Sequence, residues 1–202
     1  MVATLTKITG IILAGGESRR FGSPKAFAKF NNEYFYKHAI NSLQKNVDNI
    51  FIVSHPSIKA RFIKNKLVTV IEDPQEYQGN GPLAGILATM SIDESDWYVV
   101  LPCDTPQVTT GLIKQLISFI DPQIDAVVPI VDGRAQPLIA VYHSRLKDHI
   151  EKLLIEKKFR MQDLLASCSV LFVSEEDLSL GGTEFHNINN QEEYKKLKKD
   201  SL

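Results

Sequence analysis

The residues best suited to chemistry lie in one stretch, Leu13-Ala14-Gly15-Gly16-Glu17-Ser18-Arg19-Arg20-Phe21-Gly22-Ser23-Pro24-Lys25. Its glycines let backbone N–H groups approach a ligand without interference from a Cβ. Arg20 and Lys25 add donors and positive charge for phosphate oxygens. The stretch reads as a cradle for a polyphosphate, with Arg20 and Lys25 as candidate catalytic residues. Its spacing excludes two familiar alternatives. A P-loop requires G-x-x-x-x-G-K-S/T, whereas here the glycines are paired and Ala26 follows the lysine, and a G-x-G-x-x-G dinucleotide fingerprint is absent.

Two carboxylates are spaced to work with such a cradle. Asp104, in Leu101-Pro102-Cys103-Asp104-Thr105-Pro106, follows an apolar run and stands between prolines. Mg²⁺ takes oxygen ligands, commonly one or two carboxylates plus substrate phosphates, so Asp104 is the candidate metal ligand and a third catalytic candidate. The structural alternative makes it a turn residue or a cap for a helix near Thr109. Asp73, in Val70-Ile71-Glu72-Asp73-Pro74, is a second carboxylate just past an apolar run. Gly79-Asn80-Gly81-Pro82-Leu83-Ala84-Gly85-Ile86 then reads as a glycine-rich turn entering a helix. Such a turn brings backbone donors and a helix N-terminus toward a base or ribose; a plain tight turn is the alternative. Cys103 reads as a small buried residue.

The elements that must position these groups follow from periodicity. Apolar runs predict strands at Ile8–Leu13, Ile50–Ser54, Leu67–Ile71, Trp97–Leu101, Asp125–Ile130 and Pro137–Tyr142, with weaker ones at Leu171–Val173 and Phe185–Ile188. Several are continuous rather than alternating, as expected when helices cover both faces of a sheet. Helical patterns fall at Tyr34–Gln44, Pro82–Met90, Gly111–Ile120, Arg145–Ile155, Met161–Ala166 and Gln191–Lys199. Thr109 and Thr110 each qualify to cap the third, and the last is a polar helix. The alternation predicts a three-layer α/β, Rossmann-like, mostly parallel sheet. Ligands of such sheets bind beyond the carboxyl ends of the strands, which assigns the separate motifs to one site.

The 13–25 stretch resembles the signature of the sugar-phosphate-type nucleotidyltransferases, roughly L-A-G-G-x-S-x-R-M/F-G-x-x-K, at every fixed position: Leu13, Ala14, Gly15, Gly16, Ser18, Arg20, Phe21, Gly22 and Lys25. The ordered set L-A-G-G…K, E-D, G-P-L-A-G and P-C-D-T-P, over residues 11–106, resembles the molybdenum cofactor guanylyltransferase family. The pair G-P-L-A-G and C-D-T-P is its specific part. Asp132-Gly133-Arg134-Ala135-Gln136-Pro137-Leu138 resembles the family's segment before a P-L-I-A-V-Y strand. Phe185-His186-Asn187-Ile188-Asn189-Asn190-Gln191-Glu192-Glu193 resembles its closing F-x-N-I/V-N-T/N-x-E-E/D. Asn187 and Asn189 would point to one side of an extended segment, either toward the cofactor or metal or as a polar strand end.

The resemblance implies a nucleotide-diphospho-sugar transferase type of fold in a single domain. Residues 1–106 would form a GTP- and Mg²⁺-binding half, and residues 107–202 a molybdopterin-binding half. It implies transfer of GMP from GTP to molybdenum-molybdopterin, with pyrophosphate released. Backbone groups at Leu13, Ala14 and Gly15 would contact guanine. Gly16, Gly22, Lys25, Asp73, Gly81, Pro82, Gly85, Asp104, Asn187 and Asn189 complete the implied nucleotide and cofactor contacts. Other molybdenum cofactor biosynthesis proteins or recipient molybdoenzymes would make transient contact. Two positions depart from the pattern: Pro24 stands where many relatives have Asp, and Ser54-His55-Pro56 lacks the Asn that some relatives offer to the nucleotide. The weighed alternatives are a molybdopterin cytidylyltransferase or other small-phosphate nucleotidyltransferase, a sugar-nucleotide pyrophosphorylase, and a non-catalytic nucleotide-binding regulator.

Composition narrows the classes further. At 202 residues, 44% apolar and 23% charged, the chain can bury a normal core without a disulfide or metal staple. A net charge of −1 argues against nucleic-acid binding. The bases among the first thirty residues, Lys7, Arg19, Arg20, Lys25 and Lys29 against Glu17 alone, suit a local anion site instead. No run reaches the roughly 20 apolar residues of a membrane span. Cys103 and Cys168 are distant and form no C-x-x-C, so a reducing, cytoplasmic location is expected.

Overall fold

A computed structural model of the chain describes residues 6–16, 21–63, 66–178 and 183–199. At its centre lies β1 (Ile8–Ala14), whose Ile11 and Ile12 point to opposite faces and are both fully buried. That explains the continuous apolar run: each face is covered, so neither side chain meets water. Parallel to β1 run β4 (Asn49–Ser54) on one side and β6 (Trp97–Pro102) on the other, with β5 (Val68–Ile71) beyond β4.

The second half departs from parallel pairing at two strands. After β7 (Ala126–Val131) the chain turns through Asp132 and Gly133, both at positive φ (49° and 70°), a two-residue hairpin turn. It returns antiparallel to β7, first as the short β8 (Arg134–Ala135) and then as β9 (Ala140–His143), which inserts between β6 and β7 antiparallel to both. A connection this short cannot make a parallel crossover. The strand expected from Pro137 starts at Ala140, because Pro137 and Leu138 occupy a turn. β10 (Val170–Ser174) pairs parallel with β7 and completes the order β10-β7-β9-β6-β1-β4-β5.

Helices α1 (Phe35–Leu43) and α3 (Thr110–Ser118) cover one face, burying Leu43, Leu112 and Leu116 against Ile12, Ile50 and Ile52. α2 (Pro82–Met90), α4 (Lys147–Ile155) and α5 (Met161–Leu165) cover the other, with Leu83, Ile86, Ile150 and Leu164 against Ile11 and Val100. The architecture is the three-layer, mostly parallel α/β sandwich expected. Of the two candidate caps of α3, Thr109 serves: its hydroxyl accepts from Leu112 N–H at 3.1 Å.

Three local features were not foreseen. A small hairpin joins β2 (Lys29–Phe30) to β3 (Glu33–Tyr34) through Asn31 and Asn32, whose φ values of 48° and 64° asparagine tolerates better than most residues. The strand expected at Phe185–Ile188 is instead a 3-10 turn, Thr183–Phe185, followed by irregular chain. The polar helix α6 (Gln191–Lys199) is not a fully solvated rod: Leu197 is buried with Phe21, Ala28, Phe35 and Ile188 in a third, separate cluster. Among the described residues, no helix is long and apolar enough to cross a membrane.

Candidate active site

A cleft of about 990 Å³ opens at the carboxyl ends of β1, β4, β5 and β6. Leu13, Ala14, Gly15 and Gly16 form its wall as β1 ends. The Cys103 N–H donates to Leu13 O at 3.0 Å, tying the end of β6 to that wall. Asp104 follows directly. The register of a parallel sheet thus brings positions 13 and 104, far apart in sequence, to one edge.

Lys25 sits in a 3-10 turn, Lys25–Phe27, set by Pro24. Its ammonium lies 2.7 Å from Asp104 Oδ2 and 3.1 Å from Asn189 Oδ1. Both members of the ion pair are largely withdrawn from solvent, with side chains 15% and 17% exposed. The Ile188 N–H donates to Asp104 O at 2.9 Å, so the C-terminal segment docks on the same residue. Asn187 and Asn189 both line the cleft although no strand forms there. The alternative reading of Asp104 as a helix cap does not describe its contacts, because Thr109 holds that position.

The glycines of the site divide by what a Cβ would meet. At Gly85 it would stand 2.9 Å from Leu13 Cδ2, 3.2 Å from Val53 Cγ1 and 3.5 Å from Asp73 Oδ1, so glycine lets α2 pack close to the sheet without displacing the Leu13 side chain. Gly81, at φ 81°, supplies the turn into Pro82 at the first position of α2. Gly15 is different. A Cβ there would find nothing nearer than His55 N at 3.8 Å, an ordinary contact, and at Gly16 nothing within 4 Å among the described residues. Neither is at positive φ. Among the described residues the fold leaves room for a side chain at both positions, and both residues line the cleft.

Asp73 has neighbours within the fold itself, the Gly79 backbone and His55. It lines the cleft, half buried, and desolvation raises its pKa, an effect opposed by a hydrogen bond from the Gly79 backbone and by nearby His55. Burial likewise pushes the Cys103 thiol far above its ordinary value, which keeps it protonated and unreactive.

Of the other expected site residues, Gly81, Pro82 and Gly85 line the cleft. Gly22 does not; it is exposed, and its φ of 78° is what the chain requires there. Arg20 lies outside the described residues. Several cleft residues were not among the candidates: Ser54, His55 and Pro56 at the end of β4, Gln78 and Gly79, and Leu138. The strand-end rule that selected Asp73 and Asp104 applies equally to Ser54, whose hydroxyl is buried without a hydrogen-bond partner among the described residues. His55 is turned partly to local structure, its Nδ1 accepting from Ser57 N–H at 3.2 Å. Leu138 carried no such signal, since only the β8–β9 turn brings it near.

No group of three or more His, Cys, Asp or Glu side chains assembles a metal cage among the described residues. The Asp104 carboxylate and the Asn189 amide oxygen, brought together around Lys25, are hard oxygen donors. Such a set fits a cation that draws its remaining ligands from substrate phosphates, and does not fit a structural zinc or calcium site.

Residues 10–171 match the family model described as the MobA-like NTP transferase domain. The chain is 43% identical over 196 residues to a Bacillus mycoides protein named "Probable molybdenum cofactor guanylyltransferase", covering 97% of this chain and 98% of that protein. It is 44% identical, at the same coverage, to the Bacillus cereus (strain B4264) protein of the same name. Among solved structures, molybdopterin-guanine dinucleotide biosynthesis protein A from Archaeoglobus fulgidus superposes with a TM-score of 0.80 at 21% identity, over 96% of this chain and 98% of that one. A 4-diphosphocytidyl-2C-methyl-D-erythritol synthase from Anaerococcus prevotii has a TM-score of 0.71 at 12% identity, covering 97% and 98%, and shares the fold. The chain is therefore a nucleotidyltransferase, and it belongs to the molybdenum cofactor guanylyltransferases of the MobA-like NTP transferase family.

Proposed function

We propose that this protein transfers GMP from GTP to the terminal phosphate of molybdenum-bound molybdopterin. An oxygen of that phosphate attacks the α-phosphorus of GTP, the bond from the α-phosphorus to its bridging oxygen breaks, and pyrophosphate leaves with the electron pair. The nucleophile is already anionic, so no strong general base is required. The protein's task is to align two polyanions and to neutralise charge as it develops.

The observation that carries this reading is the Lys25–Asp104 pair, held with Asn189 in the cleft that Leu13–Gly16 also line. Lys25 would exchange Asp104 for the β- and γ-phosphates of GTP, and Arg20 is proposed as a second neutralising cation on the strength of the sequence motif alone. Asp104 and Asn189 would then be released toward Mg²⁺, which when bound supplies charge neutralisation on bridging phosphate oxygens. Gly15 and Gly16 admit the nucleotide against the β1 wall. Asp73, an acceptor when ionised, suits the N1–H and N2 amino donors that guanine offers and cytosine lacks. Asn187, Asn189 and Leu138, all from residues 107–202, would face the molybdopterin side, and residues 1–106 the nucleotide.

Thermal shift with GTP, CTP, ATP and UTP, each with Mg²⁺, tests base choice, since stabilisation grows as ln(1 + [L]/Kd). GTP is expected to raise the melting temperature most. Equal shifts with GTP and CTP would remove the guanylyl assignment and leave nucleotide binding intact.

A further inference from the structure

The C-terminal helix reaches back across 165 residues of sequence to the loop that carries Lys25. Its own start is fixed first. Asn190 Oδ1 accepts from the N–H groups of Glu192 and Glu193, both at 2.9 Å. Glu193 answers with Oε2 accepting from Asn189 N–H at 2.6 Å and Oε1 accepting from Asn190 Nδ2 at 2.7 Å. This reciprocal cap sets the backbone of Asn189, whose side chain meets Lys25, relative to α6.

α6 then holds both ends of the segment around Lys25. Gln191 Nε2 donates to Phe21 O at 2.7 Å. The Tyr194 hydroxyl accepts from Lys29 N–H at 3.1 Å and donates to Lys29 O at 2.8 Å. Its ring rests against Phe21 and Phe35, with centroids 5.3 and 5.8 Å away. Phe21 and Ala28, which bracket Lys25, are buried with Ile188 and Leu197 in a cluster separate from the two main cores.

We propose that Gln191 and Tyr194 are positioning residues for Lys25: by holding both ends of its loop, α6 fixes the ammonium between Asp104 and Asn189 and thereby sets the affinity for the triphosphate. The proposal rests on the reading of Lys25 as the phosphate-neutralising group. A lysine has a flexible four-carbon stem, and a loop tied at both ends narrows the positions its ammonium samples. Untying one end lowers the population of the binding-competent arrangement, and apparent affinity falls by that fraction.

Calorimetric binding of GTP and of GMP, each with Mg²⁺, tests this on wild type, Tyr194→Phe, Gln191→Ala, Lys25→Ala and the Lys25→Ala/Tyr194→Phe double variant. Tyr194→Phe keeps the ring and its packing, and the apo melting temperature verifies that it folds. It is expected to weaken GTP about three- to tenfold, the worth of one or two hydrogen bonds, and GMP less than twofold. Gln191→Ala follows the same pattern. In the Lys25→Ala background the Tyr194→Phe loss for GTP shrinks below twofold, because the group it positions is gone. A loss equal in both backgrounds, a loss equal for GTP and GMP, or no loss in either single variant overturns the inference. GTP binding unchanged by Lys25→Ala alone would instead overturn the role given to Lys25, and with it the inference.

Discussion

Both ends of the central sheet carry aspartates, and they are used differently. At the amino end, Asp48 accepts from Ile8 N–H at 2.9 Å, Asp96 from Lys7 N–H at 2.8 Å and Asp125 from Ser169 N–H at 2.8 Å. Beneath them the hydroxyls of Thr9 and Ser95 pair at 2.9 Å, fully enclosed. At the carboxyl end, Asp104 is paired with the Lys25 ammonium, Asp73 is half buried with its charged form disfavoured, and Ser54 buries a hydroxyl unpaired among the described residues. A carboxylate bonded to a strand's N–H cannot change partners without loosening the sheet. One bonded to an ammonium on a flexible stem can. The same residue type therefore locks the chain at one end and stays exchangeable at the other.

The largest expected effect is at Asp104. Asp104→Asn keeps the shape and an acceptor for Lys25 but removes the charge that would recruit a cation. Turnover, read as pyrophosphate release with GTP, molybdenum-molybdopterin and saturating Mg²⁺, should fall about 100-fold or more, while the apo melting temperature hardly moves. Substantial turnover in the folded variant would place the metal elsewhere and erase the contrast between the two ends.

Thr9→Val probes the opposite end. The substitution is close to isosteric and leaves the Ser95 hydroxyl enclosed without a partner, at a cost of about 1–3 kcal/mol in urea denaturation. Turnover per folded molecule should be unchanged. Reduced turnover with full stability would mean that the amino end also serves the reaction.

The smallest effect concerns pH. The folded-state pKa of Asp73 is raised above its ordinary value of 3.8, chiefly by desolvation. The folded protein therefore holds this proton more tightly than the unfolded chain does, and stability falls as pH rises through the window that opens at the ordinary value. Asp73→Asn lacks that loss. The melting temperature of wild type minus that of the variant should decline as pH rises above the ordinary carboxylate value. A difference that grows with pH would mean that the surroundings favour the carboxylate, contrary to its burial.

Legibility in the sequence tracked how local each determinant was. Strand β1, the Pro82–Met90 helix and the positions of Asp73 and Asp104 past strand ends were readable, because an apolar run and a proline at a helix start act over a few residues. The β2–β3 hairpin was missed because its strands are two residues long and show no periodicity. The strand that became β9 was readable, but its antiparallel direction was not, because a mostly parallel alternation carries no mark of the hairpin turn at Asp132-Gly133. The extended strand expected around Asn187 does not form, yet Asn187 and Asn189 reach the cleft, since Ile188 is anchored to Asp104 instead of to a strand neighbour.

The sequence by itself determined the layered α/β class, the glycine wall at residues 13–16 and the strand-end carboxylates, because each is written in a short window of residue types. Only the tertiary structure decided what those windows mean to one another. Lys25, Asp104 and Asn189 meet within 3.1 Å although 164 residues separate the outer two. A Cβ at Gly85 would crowd Leu13 and Val53, whereas at Gly15 and Gly16 the described residues leave room for one. The tail helix α6, polar by composition, proves to be the anchor of the Lys25 loop. The physical reason is that hydrogen bonds and close contacts act over a few ångströms of space whatever the distance along the chain, and composition carries no record of which groups the fold brings that near.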